Sequence, residues 1–414
     1  MTFRKYDATR DFDAVRRIWH EVGWNELDRE PDKKGMAAFL DPACSDAYVA
    51  DVQDSAECMV VMSPGSYRHL DATLPFAGVM GVTTSHIARK QGFAGRLTAH
   101  AVAQSVAKGA VIAGLGMFEQ GYYNKLGFGS GTYEHLMQFD PAQLSVPNTT
   151  RPPRRLTAED ADVIHDNRTR RSPVHGQVQF DHPGITRSEM LWTRGGFGLG
   201  YYDGPNGELT HHMWLSSEKL EYGPYTVDWM VYETHEQLRE LLGLLKGLGD
   251  QVPTIRMMQP PRVRIQDLLI EPIKERRVRR HSEYESGCIG MAYWQMRMCD
   301  IPACLAATSI DCEPVRFNVT LTDPIADRLP EHAPWRGCGG EYTVAIGRES
   351  SSAPGHDASL PTMHASVNAF TRLWIGVDSA TSIAFSDDLD GPPELLAQLD
   401  RSLRLPSPYP DWQF

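Results

Sequence analysis

The chain has 414 residues, 41% of them hydrophobic and 23% charged, with a formal net charge of −12. That length suggests two to four domains, each able to bury a core without disulfide staples. No run of about 18 apolar residues exists, which excludes a membrane-spanning helix, and the acidic balance argues against nucleic acid as a partner. An acidic surface can attract cationic substrates such as polyamines, or serve solubility alone.

The first seven residues carry no apolar run after their basic pair, against a secretory signal. Seven cysteines (Cys44, Cys58, Cys288, Cys299, Cys304, Cys312 and Cys338) form no C-x-x-C pair. An odd, scattered set suits a reducing cytoplasm, and these residues read as small buried hydrophobes. No His or Asp spacing completes a metal site. His211 and His212 are adjacent in a strand-like run and face opposite sides, so no metal site is expected there.

In chain order, residues 3–6 read as a strand. Residues 11–24 read as a helix, with Phe12, Val15, Ile18 and Trp19 at helical spacing and Thr9 or Asp11 as N-cap. Residues 47–51 and 58–62 read as strands, the latter ended by Ser63, Pro64 and Gly65. Residues 74–84 make a long central strand. Gly92 breaks the pattern before an Ala-rich helix over 93–107, and Gly109 ends it. A buried strand over 111–115 and a helical turn through Tyr122 and Tyr123, stopped by Gly127, complete an α+β (α/β) unit of about 150 residues.

Residues 147–155 read as a linker. A second unit repeats part of the first one's order, with a strand at 226–231, a helix at 233–248 and a strand at 254–258, but without the first unit's loop motif. The basic run 274–281 reads as a solvated strand or interface patch. A third unit begins near Gln295. It has a helix start after Asp300 with Pro302 just inside, strands at 315–321 and 342–346, a polar loop at 347–361, and helices at 367–375 and 393–403. The tail 406–414 holds three prolines beside Tyr409, Trp412 and Phe414. It is stiff, extended and costly to leave in water, so it is expected to dock.

The strand at 74–84, the loop Arg89, Lys90, Gln91, Gly92, Phe93, Ala94, Gly95, and the helix make a strand–loop–helix unit. Unpaired N–H groups at a helix start form an anion cradle, and Gly92 and Gly95 let a ligand approach the backbone. G-x-G-x-x-G and G-x-x-x-x-G-K-[ST] are both absent. Val82, Thr83 and Thr84 followed by Arg89-x-x-Gly92-x-Ala94 resemble the acetyl-CoA signature of the GNAT acetyltransferase superfamily. In a chain of this length, the pattern resembles the Eis (enhanced intracellular survival) family.

That resemblance implies a catalytic GNAT domain at 1–150, a degenerate GNAT-like domain at 151–294, and a sterol-carrier-like α+β domain at 295–414. It implies an acetyl-CoA-dependent N-acetyltransferase, acetylating the primary amine of an aminoglycoside, a polyamine or a lysine by direct transfer. It also implies a cytoplasmic homo-oligomer, a hexamer. Residues 119–129 resemble the family's E-x-G-x-Y-x-x-x-G-[YF]-G, with Tyr123 as general acid and Tyr122 as the alternative. Phe118 and Glu119 join the cofactor contacts. The base implied by the resemblance is the terminal carboxylate of Phe414. Trp24, Glu26 and Asp411 are candidates for the acceptor pocket. The competing reading is an acyl-CoA or lipid sensor without turnover.

Overall fold

The computed structural model describes residues 2–119, 121–272 and 283–412. The basic run at 274–281 and Phe414 lie outside them.

The first sheet orders its strands Thr2–Lys5, Asp46–Val52, Ser55–His69, Ala72–Thr84, Ile112–Gly116, Trp294–Met298 and Gly129–Ser130. Val178–Phe180 pairs with Ser55–His69 off this path. Ala72–Thr84 and Ile112–Gly116 are parallel neighbours joined by the helix Phe93–Ala107, whose apolar face lies on the sheet.

The second sheet repeats this plan. Its strands Arg154–Leu156, Phe197–Tyr201, His211–Ser216, Tyr225–Val231 and Ile255–Met258 follow in chain order, and the last two are again parallel and joined by a helix, His235–Gly247. The partial repeat expected from sequence is therefore complete in strand order. Beyond the fifth strand, the second sheet takes a strand from the first unit's stretch of chain, and the first sheet takes one from the start of the third's. Glu134–Phe139 pairs with Ile255–Met258 in the second sheet, and Trp294–Met298 pairs with Ile112–Gly116 in the first. The strands thus cross the boundaries expected at 150 and 294.

The third unit is a five-stranded sheet, Ser351–Pro354, Gly340–Ile346, Val315–Thr322, Thr362–Ser366 and Leu389–Asp390, with the helices Val367–Trp374, Ala380–Ser386 and Pro393–Ser402. It is bolted to the first by Arg297. That buried guanidinium bonds Asp323 Oδ2 at 2.6 Å and donates to the Leu126 carbonyl.

Four local expectations differ from the structure. The first helix spans Ala8–Glu21 and its N-cap is Asp7, which accepts from the Thr9 amide. Asp11 is instead buried and holds Arg4 at 2.6 Å. The strand through residue 62 does not stop at Pro64: it runs to His69 because proline removes only a donor, and its carbonyl still accepts from the Asp181 amide. The polar stretch 347–361 contains the edge strand Ser351–Pro354, which buries little and so lacks an apolar signature. The seven cysteines are all free, but Cys288 is exposed on a sheet-edge strand rather than buried.

Candidate active site

The parallel strands of the first sheet part in mid-course. They pair only from Phe76↔Ile112 to Val79↔Leu115, although the longer one continues to Thr84. A β-bulge facing Val61 and a left-handed Gly81 (φ 58°) turn Met80 and Gly81 toward the gap. The helix Phe93–Ala107 starts at the same end of the sheet. Its N-cap is Gly92 at φ 77°, with no side chain to occupy the first turn and no acidic residue in that turn. Arg89, Lys90, Gln91 and Gly92 are exposed around it, and Arg96 braces the loop through the Gln91 carbonyl at 3.0 Å. Open N–H groups, a dipole end and three cations fit a pyrophosphate.

Phe93 itself points into the core, so only its backbone can meet a ligand. Val82 and Thr84 are half-buried, and Thr83 is buried with its hydroxyl on the Gly81 carbonyl. Ala94 is half-buried and Gly95 buried behind the loop. Phe118 and Glu119 are exposed just beyond the strand Ile112–Gly116, Phe118 at 91%.

The corresponding helix of the second unit cannot cradle an anion. Thr234 caps it, accepting from the Gln237 amide at 3.2 Å, while Gln237 reaches back to the amides of Glu233 and Thr234. Glu233 and Glu236 add negative charge at the same end. One helix start of the duplicated pair is therefore open and the other is capped.

Tyr123 begins the short 3₁₀ turn Tyr123–Leu126, closed by left-handed Gly127. A Cβ on Gly127 would stand 2.7 Å from Arg297 Nη1 and from Val367 Cγ1, so glycine is required for the turn to dock. Tyr123 is 7% exposed, edge-on to Tyr122 with ring centres 4.9 Å apart. Burial, then the neighbouring Tyr122 and Cys58, hold its hydroxyl well above the usual phenol range, and burial pushes Tyr122 up to about 12. Both therefore stay protonated at neutral pH and can act as acids, not bases. The Tyr122 hydroxyl reaches the first turn of the helix, 3.5 Å from where a Gly95 Cβ would lie.

A cysteine, Cys58, lies near Tyr123. It faces both tyrosines and accepts from Thr84 Oγ1 at 3.3 Å. It sits on a neighbouring strand, 65 positions earlier, so spacing gave no hint. Burial pushes its thiol up to about 11, which leaves little thiolate for nucleophilic attack at pH 7.

On the sheet's other side, the gap opens into a cavity of about 1080 Å³ shared by all three units. An aromatic wall of Trp19, Trp24, Phe39 and Trp192 has ring centres 5.4–5.9 Å apart. Met80 and Gly81 come from the first strand gap, and Asp228, Trp229 and Met230 from the corresponding gap of the second sheet. Acids line it: Glu134, which is buried, and Glu189, Asp228 and Asp411, which are half-buried. Burial pushes Asp228 up to about 6. Trp24 lines the cavity. Glu26 does not; it pairs with Arg194 at 2.6 Å on the surface.

The tail docks into the same cavity. Its Pro410 carbonyl accepts from Val178 at 2.9 Å, and the Tyr409 amide donates to His175 at 3.1 Å. Gly176 (φ 88°) permits this, since a Cβ there would lie 2.4 Å from the Tyr409 nitrogen. Asp411 pairs with Arg171, and Trp412 is 2% exposed. The positions of these tail residues agree with the docking expected from their composition.

His211 and His212 do face opposite sides. His212 meets Asn167 at 2.7 Å, and His211 meets Glu240 at 3.0 Å. With Asp203, the latter makes a group whose ligand atoms lie within 4.8 Å of one another. Arg151 bonds both carboxylates at 2.6 Å, so a guanidinium already supplies the positive charge there.

Residues 4–131 match the family described as acetyltransferase (GNAT) domain. Over those residues the first unit is similar to an acetyltransferase (GNAT) domain. Three solved structures share the fold along the whole chain. Eis1 from Mycobacterium abscessus has a TM-score of 0.76 at 17% identity, covering 100% of both chains. A GCN5-related N-acetyltransferase from Anabaena variabilis has a TM-score of 0.76 at 13% identity, also covering 100% of both. One from Kribbella flavida has a TM-score of 0.73 at 17% identity, covering 100% of this chain and 98% of its own. No curated protein matches the chain. Among the described residues, no helix is long and apolar enough to cross a membrane.

Proposed function

We propose that the chain transfers an acetyl group from acetyl-CoA to a primary amine, with an aminoglycoside, a polyamine or a lysine as the acceptor class. Acetyl-CoA enters along the parted strands, its pyrophosphate at the helix start behind Arg89–Gly95. The acceptor enters from the opposite side, through the acidic, aromatic cavity. The observation that carries this reading is the connection between the two: the strand gap that follows the open helix N-terminus is lined by Met80 and Gly81, which are also cavity walls.

The two substrates then meet in one complex and the acetyl group passes directly. The high thiol pKa of Cys58 favours this over an acetyl-cysteine route. Tyr123 is the general acid that protonates the departing sulfur; a phenol held protonated is suited to that task. The resemblance to Eis proteins adds the terminal carboxylate of Phe414 as a base. The tail residues that lead to it line the cavity, which supports that role. The same resemblance supplies the further proposals of a sterol-carrier-like third unit, a hexameric assembly and a cytoplasmic location.

The test is thiol release from acetyl-CoA with a panel of amines. Amine-dependent release that is lost on deleting Phe414, with acetyl-CoA binding retained, supports the reading. Tight acetyl-CoA binding without turnover on any amine supports a sensor instead.

A further inference from the structure

Glu134 is the first residue of Glu134–Phe139, the strand the first unit lends to the second sheet. That exchange places it on the wall of the cavity that Met80 and Gly81 of the strand gap also line. Tyr293 sits beside it, and the Tyr293 carbonyl accepts from Met117, the residue after the strand Ile112–Gly116. Glu134 lines the cavity yet is only 5% exposed. Its Oε2 accepts a long bond of 3.4 Å from the Tyr293 hydroxyl, and its Oε1 has no partner at hydrogen-bond distance. The groups that face it are Tyr293 and the Trp294 indole from the strand beside it, and Asp411 and Tyr409 from the tail; Arg171 is committed to Asp411. Among the described residues no cation pairs with Glu134.

A buried carboxyl with no cation and an unmet oxygen is a poor structural element. Beside the reacting centre, its missing partner is the acceptor's own ammonium. We infer that Glu134 is a further catalytic residue, whose carboxylate receives the acceptor ammonium and removes the first of its two protons. This rests on the amine-acetyltransferase reading of the site. An ammonium has no lone pair, so R–NH₃⁺ must lose one proton before attack. The freed pair then forms the C–N bond at the thioester carbonyl carbon as the C–S bond breaks. The sulfur leaves with the proton from Tyr123, and the nitrogen passes its second proton to the terminal carboxylate, the base proposed above, as the amide forms.

Magnitudes support the assignment. An ordinary glutamate lies about 6 units below an alkylammonium, too weak a base to compete. Burial, then the charge of Asp411, pushes Glu134 up to about 8, which narrows that gap to roughly 2 units.

The experiment uses the full chain, acetyl-CoA and two acceptors: a simple alkyl diamine, charged at pH 7, and a weakly basic acyl hydrazide, uncharged at pH 7. For Glu134→Gln, kcat/KM on the diamine is expected to fall about a hundredfold. Its rise with pH should then follow the amine's own ionisation. Turnover of the hydrazide should change little, acetyl-CoA affinity should hold, and Glu134→Asp should recover part of the diamine activity. Equal losses on both acceptors would reveal a structural role, and unchanged diamine turnover would remove Glu134 from the reaction; either overturns the assignment. A wild-type chain that releases no CoA with any amine overturns the functional reading itself, and this assignment with it.

Discussion

Arg168 and Trp412 are stacked, with the guanidinium carbon 3.5 Å from the centre of the Trp412 rings. Trp229 lies 4.4 Å from the same guanidinium, so a buried cation packs against two indoles. Glu189 completes the clamp. It takes Arg168 Nη1 on Oε2 at 2.5 Å and the Trp412 indole N–H on Oε1 at 2.7 Å. The tail is thereby tied to the second unit by packing, a cation–π contact and a shared carboxylate.

Cutting this clamp should cost both stability and turnover. Trp412→Ala is expected to lose about 3 kcal/mol or more, since it empties a buried indole site and leaves Glu189 short of a donor. Arg168→Met should spare more of the packing but leave Glu189 as an uncompensated buried charge. Both should make the tail sensitive to limited proteolysis while acetyl-CoA binding, measured by calorimetry, stays within about twofold (roughly 0.4 kcal/mol).

The cofactor loop makes a separable prediction. Arg89→Ala should raise the acetyl-CoA Kd about tenfold, the ~1.4 kcal/mol expected of one charge-assisted hydrogen bond. Gly92→Ala meets nothing closer than the Arg96 side chain at 3.7 Å, so its penalty is conformational: roughly 1 kcal/mol of stability for a left-handed residue. Neither change should alter the acceptor's KM. The corresponding second-unit change, Thr234→Ala, should lower stability by about 1 kcal/mol without affecting acetyl-CoA affinity, because that helix start is already filled.

Stability should also report on Glu134. Its carboxyl is raised from 4.5 to about 8 on folding. The folded chain therefore binds a proton that the unfolded chain has released between those values. The stability this group allows is fully present below about pH 4.5 and is lost as pH rises through about 8. Glu134→Gln should flatten that part of the denaturation-midpoint profile and leave the protein more stable than wild type at pH 9. A pH profile unchanged by the substitution would show that the folded carboxyl titrates normally.

Much of the first unit is legible from its residues. The helix Phe93–Ala107 coincides with the stretch read from its Ala-rich periodicity, because Gly92 and Gly109 punctuate both ends. The loop motif marks the open helix start for the same local reason. What sequence does not show is exchange between units. The alternation in Glu134–Phe139 and Trp294–Met298 is satisfied by either sheet, so nothing local says that each strand serves another unit. Glu134 is invisible for that reason: outside the exchange it reads as an ordinary polar strand residue. Cys58 is likewise hidden, since only strand pairing with Thr84 brings it to Tyr123. The tail's docking was legible in outline from its aromatic residues, but its binding partners, Arg168 and Glu189, carry no motif.

The decisive measurement is amine-dependent release of CoA thiol by the full-length chain, run beside Tyr123→Phe at saturating acetyl-CoA. Release that requires an amine, and that drops about a hundredfold in the variant with acetyl-CoA affinity unchanged, is the expected result. Acetyl-CoA binding with no release on any amine, or a variant as fast as the wild type, would contradict it.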